Sequence, residues 1–246
     1  MAGRFEPRWY RRAVRPEGLV GFRVVHAETD ILVHAVRDLS EHAASVVARL
    51  RHELESYVAA RPLFAESFTP VPAEPAAPAI VRSMAAAALA AGVGPFAAVA
   101  GAFADEVGEE LLSLSAQVIV ENGGDIFVAG DADRLVALWS GDDADGIGLR
   151  IKAGSQPCGV ATSSATVGPS VSLGRASAAT VVAECAALAD AVASGVGNRV
   201  RSLADVAKAL DWGRRIEGVR AVIVVVDGSV GAVGDVELVP LPRTLG

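Results

Sequence analysis

Asp190 and Ser194 stand four residues apart in the stretch Ala189-Asp190-Ala191-Val192-Ala193-Ser194. On a helix that spacing stacks a carboxylate and a hydroxyl on one face. The side chains between them are small and apolar, so Asp190 reads either as a charge within a close-packed helix or as an exposed helix acid or cap. Buried and unpaired, it needs a metal, a network of donors or a raised pKa. A hard cation with oxygen ligands, Mg²⁺ above all, suits such a site. A second group is Glu121-Asn122-Gly123-Gly124-Asp125, straight after the apolar run Ala116–Val120. Its paired glycines allow positive φ and close approach of a ligand to the backbone. Asn122 and Asp125 can bond sugar hydroxyls, a base edge or water; the same residues also make a good tight turn. A third, Gly159 to Gly168, holds four hydroxyls, among them Thr162, Ser163 and Ser164. It reads as a phosphate-binding loop that needs no lysine, or as an ordinary polar loop.

Other chemistry is excluded by spacing. Gly92-Val93-Gly94-Pro95-Phe96-Ala97 fits a loose dinucleotide pattern, yet it follows a helix-forming stretch instead of a strand. There is no Walker A lysine and no GxSxG elbow. Cys158 and Cys185 are too few for a disulfide framework or a four-ligand zinc site, and their apolar neighbours suggest buried free thiols. His26, His34, His42 and His52 share no metal-ligand spacing with them.

The elements that must carry these groups follow from periodicity. Leu19–His26 and Ile31–Val36 alternate as a hairpin around Ala27-Glu28-Thr29-Asp30. Asp38 or Ser40 then caps a helix whose apolar residues, from Leu39 through Val58, recur every 3.6 positions. Five prolines between residues 61 and 78 predict an extended connection. Two alanine-rich helices follow, meeting at Gly92–Pro95, with Pro95 in the first turn of the second. Strands are expected at Ala116–Glu121, Ile126–Val128, Ala178–Ala183, Val219–Val226 and Val236–Leu241. Leu135–Trp139 and Gly148–Lys152 pair across the acidic turn Gly141–Gly146, and helices run over Cys185–Val196 and Leu203–Leu210. Hairpins mixed with helices, without regular βαβ alternation, indicate an α+β fold. One domain over 1–246 is expected, with a hairpin and helix at 17–60, the Pro-rich connection at 61–78 and a core at 79–241.

With 22 basic and 29 acidic side chains the net charge is −7, which argues against a nucleic-acid binder. The arginines at 4, 8, 11, 12 and 15 read as a solvated arm. Mean hydropathy is +0.40, and Met84 to Ala104 is 21 residues without charge, long enough to span a bilayer. It is mostly alanine and broken by Gly92, Gly94, Pro95 and Gly101, so it reads as two helices packed inside a soluble protein. No membrane partner and a cytoplasmic location are expected, since the N-terminus lacks a signal peptide's apolar core. The oligomeric state, a homodimer included, is open.

The pieces occur in an order that resembles the ApbE superfamily, the FAD:protein FMN transferases, and most of all a cytoplasmic branch of it. That branch carries ETD, VGPMAAVAG, VENGGDI, TSSGTVGHS and ADAAAT-IGN. Here stand Glu28-Thr29-Asp30, VGPFAAVAG at Val93–Gly101, VENGGDI at Val120–Ile126, TSSATVGPS at Thr162–Ser170 and ADAVASGVGN at Ala189–Asn198. The resemblance covers nearly the whole chain. It implies an ApbE-like α+β fold, with a mixed or antiparallel sheet and flanking alanine-rich helices. It also implies Mg²⁺-dependent splitting of the FAD pyrophosphate and attachment of FMN to a threonine hydroxyl of an acceptor protein. By the same resemblance Asp190, Ser194 and the backbone carbonyl of Ala161 hold the cation. Asn122, Gly123, Gly124, Asp125 and Thr162, Ser163 and Ser164 line the nucleotide, and Asp190 and Asp125 serve catalysis. The transferases' KGYAVD helix survives only as Gly101 and Asp105, with Ala100 in place of the lysine, and nothing matches their HIIDPRTG segment. Three functions are therefore expected to compete: a flavin-nucleotide transferase or FAD-cleaving enzyme; a non-catalytic binder of a flavin, nucleotide or pterin-like molecule; and another enzyme of this fold working through Asp125 and Asp190.

Overall fold

Strand alternation decides the layers. In β2 (Thr29–Ala35) the residues Ile31, Val33 and Ala35 point one way into the main core, and Leu32 and His34 point the other way. The same division runs through every central strand of an eight-stranded sheet, so helices cover one face and a second sheet covers the other. A computed structural model describes residues 16, 18–138, 147–154, 157–163 and 176–240. The arginine arm, the acidic turn at 141–146, Trp139, residues 164–171 and Leu241 lie outside the described residues.

The large sheet is ordered β1-β2-β3-β4-β7-β8-β9-β10. Its strands are β1 (Val20–His26), β2, β3 (Val118–Asn122), β4 (Asp125–Ala129), β7 (Cys158–Ser163), β8 (Ala178–Ala183), β9 (Val219–Val226) and β10 (Ser229–Gly234). The small sheet is β11 (Leu238–Pro240), β6 (Ile147–Ile151) and β5 (Arg134–Leu138). Every pairing among these strands is antiparallel. The helices are α1 (Ser40–Ala60), α2 (Leu63–Glu66), α3 (Ala79–Ala91), α4 (Val99–Leu112), α5 (Ala186–Arg199) and α6 (Val206–Arg214). The arrangement is the α+β one expected. β10, the strand β7 in a glycine- and hydroxyl-rich stretch, and the short α2 within the Pro-rich connection differ from what periodicity predicts.

The Glu28-Thr29-Asp30 hairpin is tighter than its sequence suggests, because Thr29 and Asp30 are already strand. Arg51 on α1 donates to Glu28 and to the Thr29 hydroxyl, and Arg23 makes a bidentate pair with buried Asp30. That motif anchors the hairpin on α1.

The alanine-rich stretch forms α3, a 3-10 turn at Pro95–Ala98, and α4. No single described helix is long and apolar enough to cross a membrane. α3 and Pro95–Leu112 pass that test only as a pair bent by 103°. Small residues allow close crossing. A Cβ on Gly101 in α4 would sit 2.2 Å from the Ala186 carbonyl oxygen, and one on Gly159 in β7 would sit 2.2 Å from the Ala186 nitrogen. The first turn of α5 is thus wedged between α4 and β7.

Backbone cannot retreat from those contacts as a flexible side chain could. Gly→Ala inside a helix ordinarily gains about 1 kcal/mol. Gly101→Ala and Gly159→Ala are each expected to lose about 3 kcal/mol or more. Gly123→Ala, with open space around it, loses about 1–2 kcal/mol through its positive φ. Chemical denaturation of the three variants checks the ranking.

Candidate functional site

The N-terminal turns of α4 and α5 lack caps of their own. Ala98 and Cys185 precede them, and neither makes a side-chain capping bond. Each helix is capped by an aspartate from the other. The Ala186 and Ala187 N–H groups donate to Asp105 on α4, at 2.7 and 2.8 Å. Gly101 N–H donates to Asp190 on α5 at 3.1 Å, joined by the Ala100 N–H. Asp190 therefore has a donor network: it accepts amides from the first turn of a neighbouring helix instead of standing exposed or capping its own. Gly101 and Asp105, the surviving part of the KGYAVD pattern, both serve this crossing.

Asp125, at the start of β4, shares the helix-facing side of the sheet with Phe127 and Ala129. It is buried, accepts the Thr162 backbone N–H, and feels the charge of Asp190. Burial, then Asp190, then Glu121 push the Asp125 carboxyl well above its ordinary range. Burial also raises Asp190 to about 7, against the opposing backbone donors. Asp105 is raised to about 7 by burial as well, its two amide donors working the other way. Two nearby acids that resist ionising together are what a dication would relieve.

The other expected residues divide between the two faces. Gly123 and Gly124 have φ of 69° and 109° and form the two-residue hairpin turn between β3 and β4. Asn122 uses its amide nitrogen on the Ala100 carbonyl at 3.1 Å, tying that turn to the start of α4. Ala161 faces the helices and is fully buried. Ser163 shares its side of β7 by alternation, and Ser194 lies half-buried one turn beyond Asp190. Thr162 departs from expectation. It lies in a strand, and its hydroxyl meets Thr180 at 2.9 Å on the face turned toward the small sheet. Only its backbone N–H reaches the carboxylates. Ser164 lies outside the described residues.

Two roles were not read from sequence. Asp105 was noticed only as a remnant of a pattern, although an acid at the centre of an alanine-rich helix is itself a signal of remote capping. Glu121 holds the turn by accepting the Gly124 N–H at 2.9 Å. The two cysteines are free; burial pushes Cys158 up to about 11 and Cys185 up to about 12, so both are inert thiols at neutral pH.

A family model described as AbpE bacteria matches residues 11–237. A UPF0280 protein of Methanocella arvoryzae is 39% identical over 210 residues, 85% of this chain and 83% of that protein. The UPF0280 protein MJ1526 of Methanocaldococcus jannaschii is 38% identical over 235 residues, covering 91% and 96%. Among solved structures, the flavin transferase ApbE from Vibrio cholerae superposes with a TM-score of 0.61 at 13% identity, over 88% of this chain and 96% of that one. The apbe protein from Thermotoga maritima gives 0.56 at 14% identity, over 87% and 96%. The likeness establishes an ApbE-like fold.

The raised acids set the sign of a pH effect. A carboxyl whose folded pKa exceeds its unfolded value favours the folded state below the unfolded value and loses that contribution as pH rises through the folded one. For Asp190 the window runs from about 4 to about 7. The metal-free protein is expected to be more stable at pH 5.5 than at pH 8. Asp190→Asn, which can still cap α4, should remove on the order of 2 kcal/mol of that difference. Urea melts at the two pH values measure it.

Proposed function

The chain belongs to the AbpE bacteria family, alongside the UPF0280 proteins, and from that premise we propose that it is a divalent-cation-dependent enzyme that cleaves or transfers a flavin nucleotide. The observation that carries this reading is buried Asp125 at the start of β4, whose ionisation is opposed by Asp190 of α5. Among the described residues no group of three or more His, Cys, Asp or Glu side chains could hold a metal. The candidate donors are two carboxylates with neutral oxygens, a set that would suit Mg²⁺, an ion that commonly takes one or two carboxylates plus substrate phosphates. Asp190, Ser194 and the Ala161 carbonyl would hold it, with Asp125 beside them. Bound there, the cation would supply charge neutralisation at phosphate oxygens as the P–O bond breaks.

The chain's own groups do the positioning. Asp190 is fixed by its bonds to the first turn of α4, so its carboxylate does not have to be ordered when substrate arrives. Asn122 is held by Ala100, which ties the Gly123-Gly124 turn to the start of α4; the space beside both glycines is open, so a nucleotide could approach their backbone. Ser163 offers a hydroxyl from the same face of β7. In the reaction the P–O–P bridge of FAD breaks, AMP leaves, and the FMN phosphoryl group passes to an oxygen: a threonine hydroxyl of an acceptor protein, or water.

A second reading is supported by Ala100 and by the missing HIIDPRTG match: the same site binds a flavin, nucleotide or pterin-like molecule without turnover. The lysine position is filled by a residue whose backbone is consumed in capping and in holding Asn122, leaving no cationic side chain there to grip a phosphate. One assay separates the two. FAD incubated with the protein and Mg²⁺ is expected to yield FMN and AMP on chromatography. Asp125→Asn and Asp190→Asn should each lower the rate about 100-fold or more. Quenched flavin fluorescence without products would establish the binder, and neither quenching nor cleavage would remove flavin altogether.

A further inference from the structure

The opposite face of the large sheet holds a feature that the carboxylate site does not use. Leu32, Ile119, Ile126 and Val128 project from it toward Val136 on β5 of the small sheet, and a cavity of about 70 Å³ remains between the layers. Arg134, at the start of β5, lines this cavity and is 9% exposed. Its guanidinium donates to the neutral side chain of Gln117, and no carboxylate among the described residues forms an ion pair with it. A buried guanidinium without a counter-charge is costly and is ordinarily paired. His34 stands on the same wall, and burial together with the Arg134 charge lowers the pKa of its imidazole. Glu121 also lines the cavity, and one of its oxygens accepts the Gly124 N–H at the neighbouring turn.

We infer that this cavity is a binding site for a small organic monoanion with an apolar body, its carboxylate pairing with Arg134 and its ring or short alkyl chain lying among the branched side chains of the two sheets. The division of labour follows from the lining. β-branched and leucine side chains accept an apolar body, and the planar fork of an arginine matches a carboxylate in two hydrogen bonds. Glu121 limits the charge, since a dianion would meet its carboxylate. The site is independent of the flavin reading, because it lies on the other side of the sheet from Asp125 and Asp190.

Benzoate and its neutral isostere benzamide probe the full-length protein by calorimetry. Benzoate is expected to bind saturably at millimolar concentration or below, and benzamide about tenfold more weakly or worse. Arg134→Met keeps the volume and removes the charge. It should weaken benzoate about tenfold or more while leaving the melting temperature at or above that of the wild type. Val136→Phe fills the cavity with Arg134 in place. It should lose benzoate too, which keeps the test decisive if the first variant does not fold. Equal binding of benzamide, unchanged benzoate binding in either folded variant, or no saturable binding to the wild type would overturn the assignment.

Discussion

Two aspartates hold the central helices by each other's first turn. Asp105 of α4 accepts the opening amides of α5, and Asp190 of α5 accepts those of α4. Neither helix has a local residue able to do this, so each start depends on the other helix being present and correctly placed. The exchange works only at very short range, which Gly101 and Gly159 permit by leaving the space around Ala186 empty of side chain. The alanine excess, 47 residues of 246, is the compositional trace of the same constraint: close crossing needs small side chains on both partners.

That constraint also gives the candidate site its character. The carboxylate that caps α4 faces Asp125 across the helix–sheet boundary, so a structural acid and a strand-tip acid share one buried neighbourhood. Burial raises both; Asp190 raises Asp125 further, and Asp105 raises Asp190. A protein interested only in capping would be served by Asn or Ser at position 190, without the electrostatic penalty. Retaining two acids where one neutral acceptor suffices is the physical case for a cation at this point.

Much of this was legible in the sequence because it was local. The hairpin before α1, the amphipathic course of α1, the two alanine helices broken at Gly92–Pro95 and the β5–β6 pair all follow from periodicity and turn residues. The ordered motifs single out Asn122, Asp125, Asp190 and Ser194 from the sequence alone. What stayed hidden depends on distance along the chain. β7 reads as a polar loop because its glycine and serine residues are weak strand formers in isolation; its place between β4 and β8 comes from long-range pairing, in which Gly159 admits α5 and Thr162 meets Thr180. Asp105 looked incidental because its partners lie some eighty residues away. Arg134 gives no signal, since its burial beside Gln117 is a property of two sheets meeting.

The central claim is that the Asp125–Asp190 pair is a divalent-cation site, and Mn²⁺ tests it most directly. Free Mn²⁺ gives a sharp six-line electron paramagnetic resonance spectrum that is lost on binding. The account predicts that the protein removes one equivalent of that signal per chain and that folded Asp190→Asn, its α4 cap intact, removes none. An undiminished signal with the wild type, or equal loss with both proteins, would contradict it.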